Sequence, residues 1–301
     1  MRFHAIDRRD SPSPTTPPKS RGPRIAMAFG IVVAIVAIYA LSLVIVHYLA
    51  KSAPPLQPDL GTKDDTVVLM RLEELKTVHN RLAVNVLVIP EDSMWDQRLT
   101  VLTTDTSVRM YPPNDLGDLV YPVGKSPAQV ATTIEAHGDP NNWPFDTYTT
   151  ETLKADVLVG SGDQRQYIDA RVEVTGSLDG WEVHTERRIS ETSNNPDDVI
   201  ITLQRAKGPL LFDLGICLVL VSLPTLALVV AVPMALGKRK FLPPFATWYA
   251  AMLFAVVPLR NFLPGSPPPG SWIDQAVVLW VLIALVVAMS LFIVAWVRDR
   301  D

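Results

Sequence analysis

Two hydrophobic rhythms divide the chain. Apolar residues run almost unbroken through 25–50, 209–236, 244–263 and 272–297. A membrane-crossing helix needs roughly 20 such residues at about 1.5 Å rise each, so the pattern predicts four spans. Between the first and second of them, residues 51–208 change to a period of two. Leu82, Val84, Val86 and Val88 alternate with Arg81, Ala83, Asn85 and Leu87. Ile168, Ala170, Val172 and Val174 alternate with Asp169, Arg171, Glu173 and Thr175, and Trp181, Val183 and Thr185 with Glu182, His184 and Glu186. Less regular strands are predicted at 66–75, 99–104, 130–136, 147–159 and 199–204, separated by turn clusters such as Leu178-Asp179-Gly180 and Asn194-Asn195-Pro196-Asp197. Half-buried strands without an amphipathic helix among them predict an antiparallel β-sandwich. The expected fold is a membrane protein with four transmembrane α-helices and an extracytoplasmic antiparallel β-sandwich between spans one and two.

The segments between these elements carry the orientation. Residues 1–24 hold six basic side chains and a Pro/Ser/Thr run, and read as a disordered cytoplasmic tail. The loop 237–243 contains Lys238, Arg239 and Lys240, and 298–301 is a short charged C-terminus. Residues 264–271 form a Pro/Gly hairpin on the opposite side. Basic loops stay in the cytoplasm, which places both termini there and 51–208 outside the plasma membrane.

Charge agrees with that partition. The chain has a net charge of −4, yet 51–208 holds 25 acidic and 15 basic side chains, a net of −10. An acidic outer domain argues against nucleic acid as a partner. Cys217 is the single cysteine, so no intrachain disulfide forms, and its place in an apolar run reads as packing. No P-loop, dinucleotide fingerprint, nucleophile elbow or zinc-ligand spacing is present, so neither a cofactor nor an enzymatic activity is expected.

Two constellations stand out. Asp213, Arg260 and Asp274 are charges at the outer ends of spans two, three and four, where each needs water or a partner. They read as a structural lock, Arg260 facing Asp274 across the hairpin with Asp213 alongside, in preference to an ion path. The second is Trp143-Pro144-Phe145-Asp146-Thr147-Tyr148, after the oxygen-rich run His137–Asn142. Asp146 and Tyr148 share one face of a following strand, Phe145 is expected in the core, and Asp146 is expected to bond the turn's backbone. The run 137–142 reads as a hydrogen-bonded turn in preference to a calcium cage.

The motifs Trp143-Pro144-Phe145-Asp146-x-Tyr148 and Leu259-Arg260-Asn261-x-x-Pro264-Gly265-x-Pro267-Pro268-x-Gly270-x-x-x-Asp274 resemble a family of mycobacterial and other actinobacterial membrane proteins catalogued as a domain of unknown function. The resemblance implies a cell-envelope location and the same order of one span, an external domain and three spans. Trp143–Asp146 and Pro209-Leu210-Leu211-Phe212 are also similar to the Phe-Pro-Phe-Asp turn and first-span start of pentameric ligand-gated channels. Here a span precedes the sandwich, only three follow it, and none carries a polar stripe.

The expected function is that of an integral envelope protein presenting its outer domain to a protein or ligand partner, with the lipid bilayer as its solvent. A ligand-gated channel-like or transporter subunit is the alternative, and an envelope hydrolase a third.

Overall fold

The computed structural model describes scattered positions between residues 30 and 48, and then residues 54–162, 165–188, 198–239, 244–265 and 267–298. The basic tail, most of the first predicted span, the Asn194–Asp197 turn, loop residues 240–243 and residues 299–301 lie outside the described set. The positions described between Gly30 and Tyr48 are helical, and this part forms one unit while the chain from Leu49 onward forms a second.

The second unit begins with strands. In chain order they are β1 (Val67–Lys76), β2 (Arg81–Ile89), β3 (Trp95–Asp96), β4 (Val101–Leu102), β5 (Thr106–Tyr111), β6 (Leu119–Tyr121) and β7 (Val130–Glu135). There follow β8 (His137–Gly138), β9 (Thr147–Thr149), β10 (Lys154–Val159), β11 (Gln166–Thr175), β12 (Trp181–Arg188) and β13 (Asp198–Arg205). Seven make one sheet in the order β6-β5-β10-β11-β1-β2-β7, and four make a second in the order β12-β13-β9-β8. One core serves both: Val68, Val84 and Val172 of the large sheet pack in the same cluster as Tyr148, Ile201 and Leu203 of the small one.

The expected antiparallel sandwich is corrected here. The large sheet is mixed, because its central strands β1 and β11 pair in parallel, Val67 opposite Arg171 and Met70 opposite Val174. A parallel pair needs a long crossover, and β2 to β10 supply it. Predicted strand 147–159 is two strands that belong to different sheets, and 99–104 reduces to Val101–Leu102 beyond the left-handed Thr100. Strand β5 escaped the period-two reading because Thr106, Ser107 and Val108 are all buried in succession.

Three helices follow, α1 (Lys207–Ala235), α2 (Phe245–Asn261) and α3 (Asp274–Arg298), the last opening with a π-helical turn over Asp274–Val278. The expected four-span architecture is also corrected. Among the described residues only α1 and α3, with 29 and 25 residues, are long and apolar enough to cross a membrane. With 17 residues, α2 falls short of the roughly 20 a span takes. The helices pack through small residues, Ala227 and Ala231 of α1 with Ala288 and Ala295 of α3, which let backbones approach closely. Tyr249 of α2 donates its hydroxyl to Ala227 O at 3.1 Å. At the far end Arg298 Nη1 donates to Ala235 O at 2.8 Å, which brings the C-terminal ends of α1 and α3 together and satisfies a carbonyl of the last turn.

Candidate functional site: the joint between sheet and helices

The place where strands give way to helices is organised by Arg205, a residue that neither sequence constellation contains. In β13, Val199, Ile201 and Leu203 occupy the buried phase of the alternation, and Arg205 falls on that same phase. A charge there must find a partner. The β9–β13 ladder pairs Leu203 with Tyr148 and Gln204 with Thr147, so the next rung sets Asp146 opposite Arg205. The Arg205 Nε and Nη2 atoms donate to Asp146 Oδ1 and Oδ2 at 2.6 and 3.1 Å, and the Arg205 side chain is only 8% exposed.

Three more groups enclose this pair. Trp181 lies across the β12–β13 rung from Arg205, with the guanidinium 4.6 Å from the centroid of its ring. The ring of Trp143 lies 5.8 Å from the guanidinium on the other path. From the hairpin between α2 and α3 comes Gly265, in a left-handed conformation (φ +74°). A Cβ added to it would sit 2.2 Å from Arg205 Nη1. Stacking on indole faces and a bidentate carboxylate are interactions for which a planar guanidinium is suited and a lysine is not.

The aromatic turn completes the joint. The Trp143–Pro144 peptide is cis. Trp143 is buried against Leu263 and Ile273, so a residue of the sheet domain packs between the ends of α2 and α3. Tyr148 is buried with its ring edge-on to Trp181 at 5.5 Å. Burial first, then the Asp146 carboxylate, pushes its phenol above the ordinary tyrosine range. Gly138 of β8 makes room for it, since a Cβ there would meet the Tyr148 ring at 2.5 Å. Two expectations for this turn are corrected. Phe145 points outward and is 56% exposed, touching Trp272 edge-on at 6.3 Å. Asp146 pairs with the Arg205 side chain, each of its oxygens accepting from that guanidinium. The preceding run forms a short 3-10 turn, Pro140–Asn142, whose N-cap Asp139 accepts from Asn141 N at 2.9 Å.

Of the charged trio, the structure brings two together. Arg260 Nε and Nη2 donate to Asp274 Oδ1 and Oδ2 at 3.0 and 2.8 Å, and Nη2 also donates to Pro267 O at 2.9 Å. Asp274 Oδ2 accepts a further bond from Gly270 N at 2.9 Å, so the pair ties both ends of the hairpin. Asp213 stands apart from them. It is 1% exposed, neither carboxylate oxygen has a hydrogen-bond partner, and the charges that act on it are those of Arg205 and Asp146.

Among the described residues no group of three or more His, Cys, Asp or Glu side chains could hold a metal ion. A cleft of about 510 Å³ opens at the sheet, lined by Leu60, Lys63, Asp65, Leu87, Ile89 and Trp95 among others. The arrangement as a whole defines a sheet domain that meets the helical bundle through Trp143, packed on Leu263 and Ile273, and through Gly265, which lies against the Arg205 side of a buried ion pair within the small sheet.

Comparison with known proteins follows the same division. Residues 56–203 match the family described as Domain of unknown function (DUF4436), and residues 205–299 match a second, Domain of unknown function (DUF8686). Together the two are consistent with an uncharacterised family. The boundary between them falls beside Arg205, so the Arg205–Asp146 pair links one matched segment to the other. No curated protein matches the chain.

Proposed function

We propose that this protein is a membrane-anchored binding module of the cell envelope, whose sheet domain is held rigidly on its helices so that a surface of it is presented to a partner or ligand. The observation that carries this reading is the Arg205 joint: a bidentate ion pair, two indole faces and a hairpin glycine close around one side chain. Such a joint transmits the position of the helices to the domain. The basic ends of α1 and α3, with Lys238, Arg239 and Arg298, support a cytoplasmic location for that end of the bundle. The sheet domain then lies on the other side of the plasma membrane. The motif resemblance to actinobacterial envelope proteins supports the same location. The cleft beside Trp95 is the surface offered to the partner.

The test uses the full chain in lipid nanodiscs with Cys217→Ala and nitroxide labels at Val120→Cys in the domain and Leu226→Cys in α1. The distance distribution is narrow in this background and broadens with Arg205→Ala. Equal widths would mean that the joint does not mount the domain. A photo-crosslinking residue at Leu60 yields one discrete adduct in intact cells. Identical adducts from Leu60 and Val120 would count against a dedicated surface.

A second reading, a channel-like or transporting subunit, draws on Asp213, a buried acid with both oxygens unpartnered in the first turns of α1. Its test is ion flux in liposomes with Asp213→Asn, which abolishes flux if the acid lies on a path.

A further inference from the structure

We infer that the Trp143–Tyr148 turn is itself a membrane-contacting element, with Phe145 and Trp272 seated among the lipid headgroups. This rests on the anchor reading above and adds a second attachment, made by the sheet domain. Within the turn Trp143, Pro144, Asp146 and Tyr148 are buried, and Phe145 is the apolar side chain left in the open. Phe145 stands exposed at the tip of an otherwise buried turn, and beside it is the exposed Trp272, T-shaped at 6.3 Å, so the two make a small apolar pair.

The level of this pair along the bundle identifies the rest of its surroundings. Trp272 precedes α3, Phe262 follows α2 and Phe212 lies early in α1, so all three belong to the bundle end that carries the domain. Each is exposed. Amphipathic and aromatic rings gather at this level because their faces suit the acyl boundary and their edges suit water. Beyond the ring, Leu214, Leu218 and Leu226 of α1 continue the exposed apolar flank toward the bundle's centre. Asp139, Asn141 and Asn142 of the domain and Gln275 of α3 border a cleft of about 430 Å³ that also touches Trp272. At the domain end of the bundle the exposed rings are Phe212, Phe262 and Trp272, and further along α1 come exposed leucines, the order in which a bilayer surface gives way to its core. Phe212, Phe262 and Trp272 sit at the ends of helices whose exposed positions further along are aliphatic, and this favours lipid over a protein partner as their cover.

The experiment places single nitroxides on the full chain carrying Cys217→Ala, in nanodiscs of phosphatidylcholine and phosphatidylglycerol. Labels at Phe145→Cys, Phe262→Cys, Val120→Cys and Leu226→Cys are compared by collision with oxygen, which concentrates in lipid, and with a water-soluble nickel chelate. The label at 226 favours oxygen and the label at 120 favours nickel. Those at 145 and 262 lose nickel accessibility relative to 120 and gain oxygen, falling between the two references. If 145 matches 120 while 226 stays in lipid, the turn does not touch the membrane and the anchor reading stands alone. If 226 is as accessible to nickel as 120, the anchor reading fails and this inference with it.

Discussion

Arg205 and Asp146 face each other one rung beyond the Gln204–Thr147 pair, and their side chains close that rung with two hydrogen bonds, at 2.6 and 3.1 Å. Both are almost wholly withdrawn from water. Removing one partner leaves the other as an uncompensated buried charge, at a cost of about 3–5 kcal/mol. Arg205→Ala and Asp146→Ala are each expected to destabilise the full chain by that order in detergent. The double replacement is expected to cost clearly less than their sum. Arg205→Lys falls between, because an ammonium makes neither the paired bonds nor the stack between Trp143 and Trp181. Denaturant titration of the four variants checks this, and simple additivity would show that the pair is not coupled.

Gly265 and Gly270 lie in the same hairpin, both left-handed, with φ +74° and +84°. Alanine at either position meets the left-handed penalty of about 1–2 kcal/mol. Only Gly265→Ala also drives a Cβ into Arg205, since nothing lies within 4 Å of the Cβ position at Gly270. Gly265→Ala is therefore expected to lower the melting temperature more than Gly270→Ala. The excess is expected to vanish in an Arg205→Ala background, and an excess that persists there would place the clash elsewhere.

How much of this was legible in the sequence depended on periodicity. The alternation over Leu82–Val88 returned as β2 with every second residue buried, and the pairing of Arg260 with Asp274 followed from the short hairpin between them. The parallel β1–β11 pair was not legible, because strand patterning records which face is buried and not which strand is the neighbour. Arg205 did leave a signal, a charge on the apolar phase of a strand, but reading its partner required the β9–β13 register. Depth in the bundle sets Asp213 with Arg260, whereas the charges that act on it are those of Arg205 and Asp146 in the sheet domain, which the pattern of α1 does not record.

Acid should weaken the sheet domain through Asp118. Arg109 Nε and Nη2 donate to its two oxygens at 2.8 and 2.7 Å, and this guanidinium holds the carboxyl below the usual range. In the unfolded chain the group takes up its proton near pH 4. The folded value is lower, so the pair's contribution is complete above about pH 4 and is lost as pH falls through the depressed value. The pair is partly exposed, so solvent screening keeps the effect small. Asp118→Asn is expected to be slightly less stable than wild type at pH 7 and to approach it as the pH falls below about 4, by circular dichroism melts of the full chain. Parallel curves across that range would remove Asp118 from the acid response.

The Arg260–Asp274 pair makes the last case, because a structural lock and a step on an ion path predict different outcomes there. Its side chains are 19% and 21% exposed, so both charges have lost most of their water. Each also holds the hairpin backbone, Arg260 through Pro267 O and Asp274 through Gly270 N. Arg260→Ala leaves a carboxylate with one bond to Gly270, and Asp274→Ala leaves a guanidinium with only carbonyls. Each single change is expected to cost about 1–3 kcal/mol in detergent, as for a buried group left short of partners. Asp274→Asn retains an oxygen for Gly270 N and is expected to cost less than Asp274→Ala. The double alanine variant is expected to be less damaging than the sum of the singles, since it leaves neither charge behind. Losses that simply add would mean that the prolines alone hold the hairpin. Unchanged stability together with a lost ion-flux signal in liposomes would overturn the lock and put the pair on a conduction path.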